Sequence, residues 1–193
     1  MKNLTRLFPL FLFVLAISTF VACEDDDLIV EPAGLTVLQL DGANVSAPLR
    51  PEGMNRFGVR FSESRLTDFD GDNLVGVRLF LDRAPQTLEI TVHEGGDLAP
   101  AGDGERRIAA RGTLSTGSFV DYEFIDPLPI DANQPLWLVA EVELAEDQQS
   151  VGCDAEGTGV DGGDFIFAPN TGWVTFESLT GVSVNWNIRG LVE

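Results

Sequence analysis

Two acid-rich loops hold the residue types most able to do chemistry in this chain. Asp68-Phe69-Asp70-Gly71-Asp72-Asn73 and the longer VGCDAEGTGVDGGDFIF, residues 151–167, interleave carboxylates with glycine. Hard cations take oxygen ligands from such loops. Calcium is therefore the cation expected if either loop binds metal, through Asp68, Asp70 and Asp72 in the first and Asp154, Asp161 and Asp164 in the second. The first loop mimics the start of an EF-hand. However, Asn73 stands at the sixth position, where glycine belongs, and Leu79 at the twelfth, where a bidentate glutamate belongs. The competing reading makes Asp70-Gly71 a tight turn and the other acids the solvated surface of an acidic protein. No other cofactor is implied.

Gly157 to Gly162 also satisfies the G-x-G-x-x-G pattern of a dinucleotide loop. That pattern works only between a strand and the amino terminus of a helix, which receives the pyrophosphate. Here Cys153-Asp-Ala-Glu precedes it and the β-rich Phe165-Ile-Phe-Ala-Pro follows, while Asp154, Glu156, Asp161 and Asp164 would repel phosphate. The expectation is a turn between strands and no nucleotide.

Aromatic residues offer a third kind of site. Trp137, Trp173 and Trp186 could stack against sugar rings, or could simply fill the core, where aromatic area dominates the energetics. Trp186 is in phase with Val184 and Ile188 and is expected inside. Trp137 alternates with Leu136 and Leu138 and shares its face with Val139, Glu141 and Glu143, so it is expected to be exposed. Trp137 and Trp173 are thus the candidate ligand-binding residues. Catalysis has little to work with. His93 is the only histidine, on the polar side of its strand and expected to be exposed; no multi-histidine zinc site and no nucleophile triad can be assembled. Paired carboxylates could hydrolyse a glycoside, but in a chain with 31 acids a pair carries no weight by itself.

The elements that must position these residues repeat with period two. Phe57, Val59 and Phe61 alternate with Gly58 and Arg60. Val75, Val77, Leu79 and Leu81 share a face, as do Leu88, Ile90 and Val92. The alternation returns in Val120, Tyr122 and Phe124, in Leu136 to Leu144, and in Val184, Trp186 and Ile188. Turn clusters separate them, including Asp70-Gly71, Glu94-Gly95-Gly96-Asp97, Asp126-Pro127 and Asn170-Thr171-Gly172. No helical stripe of ten or more residues occurs after residue 22. The pattern predicts an all-β fold, a single jelly-roll-like β-sandwich of about ten antiparallel strands over residues 33–193.

The amino terminus reads as an export signal. Lys2 and Arg6 precede an apolar run from Leu7 to Val21, closed by Ala22, and Glu24-Asp25-Asp26-Asp27 follows at once. Residues 1–22 are expected to be a removed signal peptide, since a membrane span needs roughly 20 apolar residues. Phe20-Val21-Ala22-Cys23 resembles the lipobox of bacterial lipoproteins, with Phe20 in place of the usual aliphatic residue. That resemblance implies acylation of Cys23, with residues 23–32 as an acidic, flexible tether. Removal of residues 1–22 leaves 171 residues with 10 arginines against 31 acids, a balance of −21. Nucleic acid is excluded as a partner, because no basic patch is available for phosphate. Lys2 is the only lysine; the acidic, arginine-only surface fits either a high-salt habitat or a GC-rich genome. With Cys23 acylated, Cys153 is a lone thiol or a small buried apolar group.

The segments FGVRFSESRLTDFDGDNLVGVRLFL, LEITVHEGG, LPIDANQPLWLVAEVE, GCDAEGTGVDGGDFIF, TGWVTF and NWNIRG, in that order, resemble a sandwich domain of Bacteroidota surface lipoproteins. Such domains accompany gingipain and haemagglutinin-type adhesins. The acidic run after Cys23 likewise resembles the export tag that places such lipoproteins on the outer leaflet. The resemblance implies a non-catalytic binding or adhesion module, lipid-anchored at the bacterial outer membrane and facing outward, or otherwise periplasmic or secreted. Its membrane partner is the bilayer, reached through the lipid, and its ligand is a glycan or a protein. In the family an aromatic usually stands where this chain has Cys153. A carbohydrate-binding module for polysaccharide capture and a structural envelope subunit are the alternatives.

Overall fold

The computed structural model describes residues 34–104, 106–111 and 114–193. The signal peptide, Cys23 and the tether lie outside the described residues. Twelve strands occur among those described: β1 (Thr36–Leu38), β2 (Leu49–Arg50), β3 (Gly53–Phe61), β4 (Asn73–Phe80), β5 (Thr87–Glu94), β6 (Arg106–Arg111), β7 (Phe119–Pro129), β8 (Leu136–Leu144), β9 (Gln148–Gln149), β10 (Phe165–Ala168), β11 (Gly172–Thr175) and β12 (Ile188–Val192). Two one-turn α-helices interrupt them, α1 (Glu63–Leu66), which runs on into a 3-10 turn at Thr67–Phe69, and α2 (Phe176–Thr180).

The strands build an all-β sandwich. One sheet has the order β1-β12-β4-β7, the other β11-β10-β3-β8-β5-β6, and β2-β9 forms a small ribbon. Every pairing is antiparallel. The alternation read in the sequence supplies the inner faces. Phe57, Val59, Phe61, Leu88, Ile90, Val92, Leu138 and Val142 come from the larger sheet; Leu74, Val77, Leu79 and Ile188 come from the smaller, all within one buried core. Trp186 is fully buried as expected, edge-on to Phe57 and Phe176 with centroids 5.1 Å away in each case.

Strand β4 departs from simple alternation. Leu74, rather than Val75, joins Val77 and Leu79 inside, because the register with β7 slips between Leu74 and Gly76. A bulge of this kind turns the side chains before it by one position. Gly76 is required there: a Cβ would stand 2.7 Å from the Tyr122 carbonyl oxygen.

The closing NWNIRG segment ties the sandwich together through polar groups. Asn187 Nδ2 donates to Asp41 Oδ2 at 2.6 Å, and Arg189 Nε donates to both Asp41 oxygens, at 3.0 and 2.9 Å. The Arg189 guanidinium also lies 4.0 Å from the centroid of Phe119. A buried acid is tolerable only with such partners, and burial still pushes the Asp41 carboxyl above its usual range despite the arginine.

Candidate ligand-binding groove

On the outward face of the larger sheet the register gathers polar and aromatic residues beside an open groove. Cross-strand partners share a face, so the pairings order it in rows. Arg56, Glu141 and Glu89 form one row across β3, β8 and β5. Gly58, Val139 and Thr91 form the next, and Arg60, Trp137 and His93 a third. The middle row is short and the first is long, so a trough runs across the strands. The third row is capped by the β5–β6 connection, residues 95–104, which forms a strap. The result is a groove of about 270 Å³, lined among others by Arg56, Glu89, Thr91, Glu141, Asp103 and Trp173. That volume falls just below the range of roughly 300–1,000 Å³ typical of small-molecule sites.

Three side-chain hydrogen bonds hold the strap down. Trp137 Nε1 donates to the Gly96 carbonyl at 2.7 Å, Arg60 Nη1 to that of Asp97 at 3.0 Å, and His93 Nδ1 meets that of Ala101 at 3.1 Å. Gly96 turns with φ of +94°, a conformation that disfavours any side chain. At the other end Trp173 leans over the floor, where a Cβ on Gly58 would sit 2.9 Å from its Cζ3. Phe167 braces Trp173 at 5.9 Å and carries the Arg56 guanidinium 5.0 Å from its own centroid. Arg56 Nε in turn pairs with Glu141 Oε2.

Two exposure expectations are corrected. Trp137 does lie on the face opposite Leu136 and Leu138, but it is 0% exposed, packed between Phe165 at 4.6 Å and Trp173 at 6.0 Å beneath the strap. It supports the groove and does not offer a platform. His93 is likewise buried, at 9% exposure, with Nε2 3.0 Å from Thr91 Oγ1. Trp173 is half-buried and borders the groove, which leaves it as the accessible indole.

The acid-rich loops do not gather their carboxylates. No group of three or more His, Cys, Asp or Glu side chains suited to a metal occurs among the described residues. Asp68, Asp70 and Asp72 are exposed around a tight turn at Gly71, and Asp70 Oδ1 accepts from Ala132 N at 3.0 Å. Asp154 is buried against Asn185, whose backbone N and Nδ2 both donate to it at 2.7 Å. Asp161 pairs with Arg60 at 2.7 Å. Asp164 accepts from Glu177 N at 3.0 Å at the start of α2, and burial raises its pKa. The G-x-G-x-x-G segment leads into β10, not into a helix. Its Gly162 and the adjoining Gly163 are packing devices, because a Cβ would strike the Arg60 carbonyl or the Asn185 side chain. Cys153 is buried and free, and burial pushes its thiol pKa up.

Arg56, Gly58, Glu89, Thr91, Asp103 and Glu141 were not singled out by sequence. The available signal was the polar phase of three strands read together, which becomes a site only once β3, β8 and β5 are known to be neighbours.

No family model and no curated protein matches the sequence. The fold defines an all-β sandwich similar to that in two solved structures of Cwp84. One is the clostridial cysteine protease after propeptide cleavage, with a TM-score of 0.61 and 14% identity over 84% of this chain and 41% of that one. The other holds the cysteine protease and lectin-like domains of Cwp84, a surface layer associated protein of Clostridium difficile, with a TM-score of 0.59 and 14% identity over 84% of this chain and 36% of that one. The chain thus spans about two fifths of the length of those structures.

Proposed function

We propose that this protein is a lipid-anchored module of a bacterial cell surface that binds uncharged polysaccharide without catalysis, through the groove on its larger sheet. The observation that carries the reading is the row Arg56–Glu141–Glu89 standing beside a low floor that ends at Trp173. Sugar hydroxyls both donate and accept. A guanidinium next to carboxylates offers both polarities within one row, while an indole gives a stacking surface for the apolar face of a ring. The strong acidity of the chain disfavours anionic polymers. The lectin-like domains named in one structural neighbour and its surface-layer association support the same direction.

The anchor rests on Cys23 and the preceding signal, and an outward orientation at an outer membrane on the acidic tether. A non-catalytic role is favoured by Cys153 facing the core, by both ring nitrogens of His93 being engaged, and by the pairing of the groove carboxylate Glu141 with Arg56. The adhesive role implied by the resemblance to Bacteroidota sandwich domains is the same activity if the bound polymer belongs to another cell. The test is a glycan array of neutral, anionic and amino sugars, with and without chelator. Saturable binding to neutral glycans that is lost in Trp173→Ala and survives chelation is expected. Binding lost on chelation, or confined to anionic glycans, would contradict the reading.

A further inference from the structure

His93 and Thr91 fix the direction of one hydrogen bond in the groove, and this inference rests on the groove being the ligand site proposed above. The Ala101 carbonyl can only accept, so the 3.1 Å contact places a proton on His93 Nδ1. In the neutral imidazole Nε2 is then a bare acceptor. It stands 3.0 Å from Thr91 Oγ1, a distance at which one of the two atoms must carry the proton, and with the ring neutral only the hydroxyl can. Thr91 therefore spends its single donor on His93. Its oxygen lone pairs are what it can offer to the groove that it lines.

We infer that His93 is a specificity-determining residue, acting through Thr91 so that the groove floor meets its ligand as a hydrogen-bond acceptor only. The ligand group above Thr91 is a free hydroxyl or N–H. A methyl ether, an ester or a carbonyl oxygen at that place would face lone pairs with lone pairs. The same imidazole holds the strap through Ala101, so the polarity of the floor and the position of Gly102 and Asp103 are set by one tautomer. Gly104 leaves room for it, since a Cβ there would stand 2.9 Å from His93 Cε1.

The test uses the full chain with 15N-labelled histidine at pH 8. Imidazole NMR is expected to show Nδ1 protonated and Nε2 bare, with the Thr91 hydroxyl proton correlated to Nε2. The opposite tautomer would overturn the inference. Two small probes then read the floor through the Thr91 methyl shift: glycerol, which can donate, and 1,2-dimethoxyethane, which cannot. Glycerol is expected to bind at least about fivefold more strongly, the worth of one net hydrogen bond. In His93→Asn the amide nitrogen takes the place of Nδ1 and keeps the strap, while the Nε2 acceptor disappears. The freed hydroxyl is expected to bring the two probes close to equality. Equal response to both probes in the unaltered protein, or an unchanged preference in His93→Asn with the strap in place, would refute it. Failure of every glycan in the array would remove the polysaccharide reading and leave these results as they stand, so the two failures are distinguishable.

Discussion

Replacing Trp137 by alanine separates a support beneath the groove from a surface that touches ligand. The side chain is fully buried, in ring contact with Phe165 and Trp173, and its Nε1–H is bonded to the Gly96 carbonyl. Truncating a buried tryptophan costs about 3–5 kcal/mol. Leaving the Gly96 carbonyl without its donor adds about 1 kcal/mol. For a domain of this size each kcal/mol moves Tm by about 2–4 °C, so Trp137→Ala is expected to melt roughly 10–20 °C lower. Trp137→Phe keeps most of the packing and loses the hydrogen bond, and about a third of that shift is expected. Calorimetry gives both values, and limited proteolysis should show new cleavage within residues 95–104 in each variant as the strap loosens. A loss below about 1 kcal/mol in Trp137→Ala would mean that the indole behaves as an exposed surface residue, and the architecture of the groove described above would be wrong.

Gly58→Ala is expected to be nearly neutral for stability but to weaken glycan binding. The new methyl forces the Trp173 ring back by about 0.6–1.1 Å to regain normal carbon contact, and equal affinity in wild type and variant would contradict the placement of that ring. Stability should fall as pH rises from about 4 toward neutrality. Burial raises the carboxyls of Asp41 and Asp164, so between 3.8 and their raised values the folded chain holds more protons than the unfolded one. Asp131, held low by Asn133, acts in the opposite sense only below 3.8; a melting profile flat or rising between pH 4 and 8 would refute this. Cys153, tested in a Cys23→Ser background, should react with a thiol reagent only as fast as the domain opens, and prompt labelling of the native protein would contradict its burial.

The parts of this structure legible from sequence are those governed by one strand at a time. The period-two runs at Phe57–Phe61, Leu88–Val92 and Leu136–Leu144 gave the correct inner faces, and Trp186 was correctly phased into the core. What escaped depends on neighbours distant in sequence. Polar alternation told which face Trp137 and His93 occupy, but not that residues 95–104 fold back to cover them. The bulge at Leu74–Gly76 arises from a β7 partner some fifty residues away. The acidic loops looked like oxygen cages because carboxylates and glycines were read without their partners. In the fold, Asp70, Asp154 and Asp164 accept from backbone N–H groups and Asp161 from an arginine.

The central claim is that the groove beside Trp173 binds neutral glycan, and tryptophan fluorescence during titration with a neutral oligosaccharide from the array tests it most directly. Trp137 and Trp186 are fully buried, which leaves Trp173 as the responsive indole. A saturable emission change that disappears in Trp173→Phe, with Tm preserved, is the result expected. Binding that persists undiminished in that variant, with no change in emission in the unaltered protein, would place the ligand on another surface and contradict the account.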